Sequence, residues 1–321
     1  MKDHGLAEIV NVLKGAAELA LISHYNPDSD AYGAICALGL ALEQHGAVIH
    51  LLGQEGALRR YLFIPGVARI KDVPPAPFPP LAVVCDCGDL RRVGKSFQAA
   101  VEQAPCIINI DHHISNEYFG HYNLVREGVS STCEIIYDLL EAAKLEITPQ
   151  IATGLLAGIM GDSGSFRYAS VTAETFNVAA ELVRCGAKPE EVADGLYSNN
   201  TLAAVRLHAE ALAGLRMHFE GRVCEVLVDE AMFKRSGAQP DDTDLLVEKA
   251  RDIQGVQVAF LVQAWEGIWR VSLRSRGEAQ NVAEVARSFK GGGHKNAAGF
   301  RWGRELEELR ARLLEEIRKI L

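Results

Sequence analysis

Three short apolar runs in the first part of this chain, ending at Ile22, Cys85 and Ile110, stop abruptly on acids or histidines: SHYNPDSD, DCGD and DHH. A strand covered on both faces tolerates charge only where it leaves the sheet. Ligand sites of parallel sheets lie at the carboxyl ends of their strands. Helical spacing surrounds these runs. Leu6, Ile9, Val10 and Leu13 precede the first, while Ile35, Leu38 and Leu42 carry a helix from Asp30, placed at its N-cap, to Gly46. AVIHLL then reads as a strand and STCEIIYDLLEAA as a helix. This alternation predicts an α/β domain, a doubly wound, mostly parallel sheet. No Gly-rich dinucleotide fingerprint follows the first strand, so nicotinamide or flavin binding is set aside.

At 321 residues the chain has room for two domains of ordinary size. The style changes along it. VPPAPFPP, residues 73–80, has the same strand pattern on both sides and reads as a surface loop, whereas 187–214 reads as a polar helical connector. Beyond it, VCEVLV, VQVAFLV and IWRVSLR are longer alternating strands. The organisation expected is 1–186, the doubly wound domain; 187–214, the connector; and 215–321, a smaller α+β domain.

A net charge of −9 opposes a general grip on duplex nucleic acid unless positive charge is gathered locally. Residues 270–304 gather it, holding eight Lys or Arg and two Glu, so that this segment is +6 and the rest −15. Seven cysteines without C-x-x-C spacing read as buried thiols of a reducing, cytoplasmic compartment. No signal peptide or membrane span is expected, because Glu8, Lys14 and Glu18 interrupt the N-terminal stretch and no apolar run is long enough.

His24, Asp28 and Asp30 crowd into one loop, and an i, i+2 pair in extended chain points both carboxylates one way. Alone, turn and cap duties would account for them. Asp86 below a wholly apolar strand is harder to explain as a turn residue, and Asp111, His112 and His113 repeat the arrangement. GIMGDSGSFRY adds Asp162 among glycines. Carboxylates with a minority of imidazole suit Mn²⁺ or Mg²⁺ rather than thiolate zinc. Two such ions about 4 Å apart serve phosphoester displacement. In the second half, FKGGGHKNAAGF offers backbone N–H groups that can cradle an anion, with His294 and Lys295 beside them.

These motifs, HYNPDSD, DCGD, DHH and GDSGSF followed by SLRSRG and GGGHKNAAG, resemble the DHH phosphoesterase superfamily with its associated C-terminal domain. The short two-domain layout is most similar to its nanoRNase and pAp phosphatase members. The resemblance implies one metal on His24, Asp28 and Asp86 and a second on Asp30, Asp86, His112 and Asp162, with Asp86 bridging. It makes His113 the group at the scissile phosphate or leaving oxygen, supported by Asp111, and gives Arg274, Gly291, Gly292, Gly293 and His294 the substrate's other phosphate or base across an interdomain cleft. Ser29 departs from the family's usual Gly and Ala34 from its frequent Ser. The implied activity is Mn²⁺-dependent hydrolysis of short oligoribonucleotides and pAp. Linear or cyclic dinucleotides are the alternative substrates, and polyphosphate, pyrophosphate or mere nucleotide sensing lie further off. The partners expected are short single strands or small nucleotides, with no duplex and no membrane, and a homodimer is an open option.

Overall fold

The computed structural model describes residues 4–243, 245–277 and 279–321, apart from the side chain of His294. Two compact units divide between Asn199 and Asn200.

The first unit runs α1 (Leu6–Gly15), β1 (Glu18–Ile22), α2 (Ser29–Glu43), β2 (Val48–Leu52), β3 (Leu81–Cys85), α3 (Lys95–Val101), β4 (Cys106–Asp111), β5 (Tyr122–Val125), α4 (Thr132–Ala143), α5 (Pro149–Asp162), α6 (Ala173–Arg184) and α7 (Pro189–Tyr197). Its five strands are all parallel, in the order β2-β1-β3-β4-β5. Side chains alternate between two cores. Leu19, Leu21, Val83, Cys85, Ile108 and Ile110 pack on one side with helices α1, α2, α4 and α5, and Ala20, Ile22, Ala82 and Val84 meet Phe97 and Val101 of α3 on the other. Each leucine, isoleucine, valine or phenylalanine among them, fully buried, contributes about 1.5–3 kcal/mol. Helix and strand do not alternate strictly. The β2–β3 connection holds only short 3₁₀ turns at Arg59–Tyr61 and Val67–Arg69, because prolines at 65, 74, 75, 77, 79 and 80 deny it helical hydrogen bonds.

In this strand order the chain changes direction across the sheet between β1 and β3, the crevice where open α/β sheets bind ligands. The register aligns the exits there. Ile22 pairs with Val84 and Cys85 with Ile110, so His24, Asp86 and Asp111 leave the sheet at one level.

The second unit runs α8 (Leu202–Ala213), β6 (Arg216–His218), β7 (Val223–Val228), α9 (Glu230–Ser236), α10 (Leu246–Arg251), β8 (Val258–Trp265), β9 (Ile268–Ser275), α11 (Val282–Ser288), β10 (Gly292–His294), β11 (Ala297–Trp302) and α12 (Leu306–Arg318). Its six-stranded sheet, β10-β11-β9-β8-β7-β6, is antiparallel except at β7–β8. Val258, Phe260, Val271 and Leu273 face α11 and α12, while Val226, Ala259 and Leu261 face α8 and α10. The stretch 187–214 is shared between the units, since α7 packs on α5 and α8 packs on α9 and β7. Among the described residues no helix is long and apolar enough to cross a membrane.

Candidate metal centre

Five elements deliver the acids and histidines to one place. His24 follows β1, Asp86 follows β3, His112 and His113 follow β4, Asp28 and Asp30 open α2, and Asp162 ends α5. Three sets of donor atoms lie within 4.8 Å of one another: His24, Asp28 and Asp86; Asp30, His112 and Asp162; and Asp86, His112 and His113. Asp86 stands at the centre. Its Oδ2 lies 3.4 Å from His24 Nε2, and its Oδ1 lies 3.6 Å from His112 Nε2. Its backbone is left-handed, at φ 56°, a conformation aspartate enters more readily than most residues.

Both ligand-type imidazoles are aimed by their other nitrogen. His24 Nδ1 donates to the Tyr25 carbonyl at 2.8 Å and His112 Nδ1 to that of Val129 at 3.2 Å, which turns each Nε2 toward the acids. The N-terminus of α4 supplies backbone donors. The N–H groups of Thr132 and Cys133 reach the two Asp30 oxygens at 2.6 and 3.0 Å, and the Thr132 hydroxyl donates to Asp86 Oδ1 at 2.9 Å. Glycines close the gap between α2 and α5. A Cβ on Gly33 would meet the Gly154 carbonyl at 2.4 Å, and one on Gly158 would meet Cys133 Sγ at 2.2 Å and Asp30 Oδ1 at 2.7 Å. Ser29 fits for the same reason, since its hydroxyl takes the space a Cβ on Gly161 would fill.

One local expectation needs correction. Asp30 is not the N-cap of α2; Asp28 is, its Oδ1 accepting from the N–H groups of Asp30 and Ala31 at 2.9 and 3.0 Å. Within the helix, Asp30 turns toward His112 and Asp162 while Asp28 stays with His24 and Asp86. One tight turn thus distributes its two carboxylates between two donor sets.

The protein's own charges show what this cluster accepts. Burial, then the charges of Asp86 and Asp162, pushes Asp30 well above the usual carboxylate range. Burial, with Asp28 and Asp86 adding to it against His112, lifts Asp162 to about 7. Burial pulls His112 down, but Asp162, Asp86 and Asp30 outweigh it and raise the imidazole to about 10. Asp86 goes the other way: burial would raise it, yet the His24 hydrogen bond and the charges of His113, His24 and His112 hold it well below the usual range. The cluster has more negative charge than its histidines balance. Oxygen and imidazole donors around such an excess fit hard divalent cations.

His113 is arranged differently. Its Nδ1 lies 2.5 Å from Asp111 Oδ1, and the other Asp111 oxygen accepts from the Asn116 amide at 2.5 Å. Asn116 is braced in turn by Asn109, which donates to the carbonyls of Val84 and Cys87. Asp111 is fully buried and His113 nearly so. Thr132, Asn116 and Asn109 are the site residues that sequence reasoning passed over. The only written signals were SST ahead of a helix and an Asn three residues past the two histidines.

The seven cysteines are unpaired, and burial raises the thiols of Cys85, Cys87 and Cys133, which leaves them inert packing groups.

In the second unit, Arg274 lies on β9 in register with Ala297 of β11, itself in register with His294 of β10. The side chain of His294 lies outside the described residues. The glycine run needs a different account from the one its sequence invites. The Gly291 N–H donates to the Ala286 carbonyl at 2.9 Å and is therefore unavailable to an anion. A Cβ on Gly291 would meet the Gly299 carbonyl at 2.2 Å, and one on Gly293, at φ 138°, would meet that of Ala297 at 2.4 Å. These two glycines let β10 lie close on β11. Gly292 has open space where a side chain would be.

Comparison with known proteins agrees with this layout. A sequence model of the DHH family, N-terminal domain, matches residues 18–159, and one of the DHHA1 domain matches 224–321. The bifunctional oligoribonuclease and PAP phosphatase NrnA of Thermus thermophilus is 34% identical, over 98% of this chain and 93% of its own. Among solved structures, an exopolyphosphatase-related protein from Bacteroides fragilis superposes with a TM-score of 0.90 at 20% identity, covering 98% of this chain and 95% of that one. RecJ of Thermus thermophilus, in complex with Mn²⁺, gives 0.58 at 16% identity, covering 100% of this chain and 56% of RecJ. With both halves matched in order and the NrnA likeness running nearly end to end, the chain belongs to the DHH family, carries a DHHA1 domain in its second unit, and is a metal-dependent phosphoesterase.

Proposed function

We propose that the chain hydrolyses very short oligoribonucleotides to mononucleotides and removes the 3′-phosphate of 3′-phosphoadenosine 5′-phosphate (pAp), with two divalent cations, Mn²⁺ by preference. The observation that carries this reading is the Asp86 carboxylate, one oxygen toward His24 and the other toward His112, each imidazole belonging to a separate donor set. His24, Asp28 and Asp86 would hold one cation, and Asp30, Asp86, His112 and Asp162 the second. Such cations, when bound, supply Lewis acidity and a lowered water pKa for in-line attack on phosphorus. The substrate class follows the name of the NrnA relative, and RecJ structures with Mn²⁺ and with Mg²⁺ support a divalent cation of this kind.

The chain's own groups supply orientation and the proton. Asp111, locked by Asn116, holds the Nδ1 side of His113, so Nε2 is the ring atom that serves the leaving oxygen. In the balanced reaction the phosphorus–oxygen ester bond breaks. The water's hydroxyl oxygen ends on phosphorus, and one proton reaches the departing oxygen through His113. Arg274, Gly292, Gly293 and His294 are read as holding the substrate's other phosphate or base.

The test is an assay of purified protein with Mn²⁺ against pAp, pApA, cyclic di-AMP, pyrophosphate and RNAs of two, five and twenty nucleotides, with a chelated control. Turnover of pAp and of the two- and five-nucleotide RNAs, with the long strand poor, supports the reading. Preference for pyrophosphate or a cyclic dinucleotide, equal cleavage at all lengths, or activity that survives chelation overturns it.

A further inference from the structure

Arg274 has few means of holding itself in place. Its in-register neighbours on the sheet are Ala259 and Ala297, methyl groups that offer a guanidinium nothing to bond. Among the described residues, two contacts fix it. Nε donates to Glu248 Oε1 at 2.8 Å, and Nη1 donates to the carbonyl of the preceding residue, Leu273, at 3.0 Å. These take the Nε–H on one side of the guanidinium and one N–H of Nη1 on the other. Among the described residues the second N–H of Nη1 and both of Nη2, at its outer end, are the donors left for an anion, on a side chain 28% exposed.

Glu248 has no other polar task among the described residues. Its second carboxylate oxygen, Oε2, is buried with no hydrogen-bond partner, an arrangement that costs free energy unless the first oxygen's contact matters. Its helix is short but firmly seated. Leu246, Val247 and Ala250 of α10 are buried against β7 and β8, and Leu245, just ahead of them, holds a left-handed backbone at φ 61°. A leucine in that conformation is strained, and it fixes the direction in which α10 leaves the loop. The neighbouring cation does not share the carboxylate: Arg276 Nη2 donates to the Arg251 carbonyl at 3.3 Å and lies 3.9 Å from Asp252.

We propose that Glu248 is a positioning residue for Arg274, acting on substrate only through the guanidinium whose Nε it holds. This rests on the reading of Arg274 as the group that grips the substrate's second phosphate. A positioned guanidinium presents a planar fork to a phosphate, whereas a loose one must be ordered at each binding event. Loss of Glu248 therefore weakens binding and misplaces the reacting phosphorus together.

The experiment is a double-mutant cycle. Glu248→Ala, Glu248→Gln, Arg274→Ala and the Glu248→Ala/Arg274→Ala double variant are assayed for phosphate release from pAp and for hydrolysis of bis-p-nitrophenyl phosphate, with thermal melting as the fold control. Glu248→Ala is expected to lower kcat/KM on pAp about 10- to 100-fold, with KM rising and kcat falling, and to lower the generic ester far less. Gln keeps an oxygen acceptor for Nε, so Glu248→Gln retains activity within about threefold of the parent. In the Arg274→Ala background, Glu248→Ala adds less than about a further twofold. Additive losses in the double variant, faster pAp turnover in Glu248→Ala, or parallel losses of melting temperature and generic ester hydrolysis overturn the positioning role. Should Arg274→Ala leave pAp turnover intact, the reading of the clamp itself is what fails, and the positioning role goes with it.

Discussion

The two sheets carry charge in opposite ways. At the carboxyl ends of β1 and β3, Asp30 and Asp86 are buried, 1% and 3% exposed, and the charge of Asp86 adds to burial in raising the proton affinity of Asp30. On β9, Arg274 is 28% exposed, and Glu248, its carboxylate partner among the described residues, is 18% exposed. Charges buried together interact in a low dielectric and answer as a unit. Partly exposed ones are more strongly screened by water and salt, and answer by degrees. The first unit should therefore lose function all at once when Asp30 or Asp86 goes, and the second in steps.

The sharpest way to break that contrast is at Asp86. Asp86→Ala should lower turnover by orders of magnitude on every substrate while leaving the fold intact, with both cations lost by metal analysis. Two Mn²⁺ per chain with near-normal rates in this variant would end the comparison. Chelation should have the same effect, with Mn²⁺ restoring activity best and alkylation of the buried cysteines doing comparatively little.

One step down lies the relay behind His113. Asp111→Asn keeps the shape but cannot hold the Nδ1 proton as a carboxylate does, and should lower kcat about 100-fold with a displaced pH–rate profile. A profile unchanged in shape would take Asp111 out of the proton path. For the exposed side, Arg274→Ala should cut pAp and dinucleotide hydrolysis about 10- to 50-fold, and the generic ester much less. Added salt should shrink that difference, as befits a screened charge. If salt leaves it unchanged, Arg274 belongs with the buried set and the contrast is wrong.

The smallest effect concerns burial acting on a base in the second unit. His208 is buried with Nε2 on the Asp242 carbonyl at 2.7 Å and Lys249 Nζ 3.3 Å from Nδ1. Burial first, and the Lys249 charge, hold its pKa below 6.5, so the unfolded chain takes up the proton more readily than the folded one. Stability should then decline as pH falls below about 6.5 and level off once the folded imidazole also protonates. Melting temperatures of the parent and of His208→Gln between pH 7 and pH 5 check the sign; the variant should show the shallower decline.

Much of the first unit was legible because its chemistry sits within one or two residues of a strand end. Ile22, Cys85 and Ile110 announce buried strands, and whatever follows must lie on the sheet's edge. What was not legible depends on approach in space. Thr132 matters because α4 points its first N–H groups at Asp30, 102 residues earlier. Glu248 matters because α10 seats it beside Arg274, 26 residues further along the chain. The choice of cap between Asp28 and Asp30 turns on a backbone rotation that two acids in one turn cannot announce. The packing need for Gly291 and Gly293 was illegible for a similar reason, since it comes from β11 lying against them.

The contact of α5 with α2 has a consequence for anyone seeking a more robust enzyme. Replacing glycine by alanine inside a helix ordinarily gains about 1 kcal/mol, which makes Gly154, Gly158 and Gly161 obvious targets for thermostabilisation. At Gly158 the new methyl would press on Cys133 Sγ and the Asp30 carboxylate, and at Gly161 on the Ser29 hydroxyl, prising apart the two helices that hold Asp30 and Asp162 together. At Gly154 the nearest atom stands 3.6 Å away, an ordinary contact. Helix propensity and catalysis compete at two of these three sites, and an engineer can collect the stability at Gly154 alone.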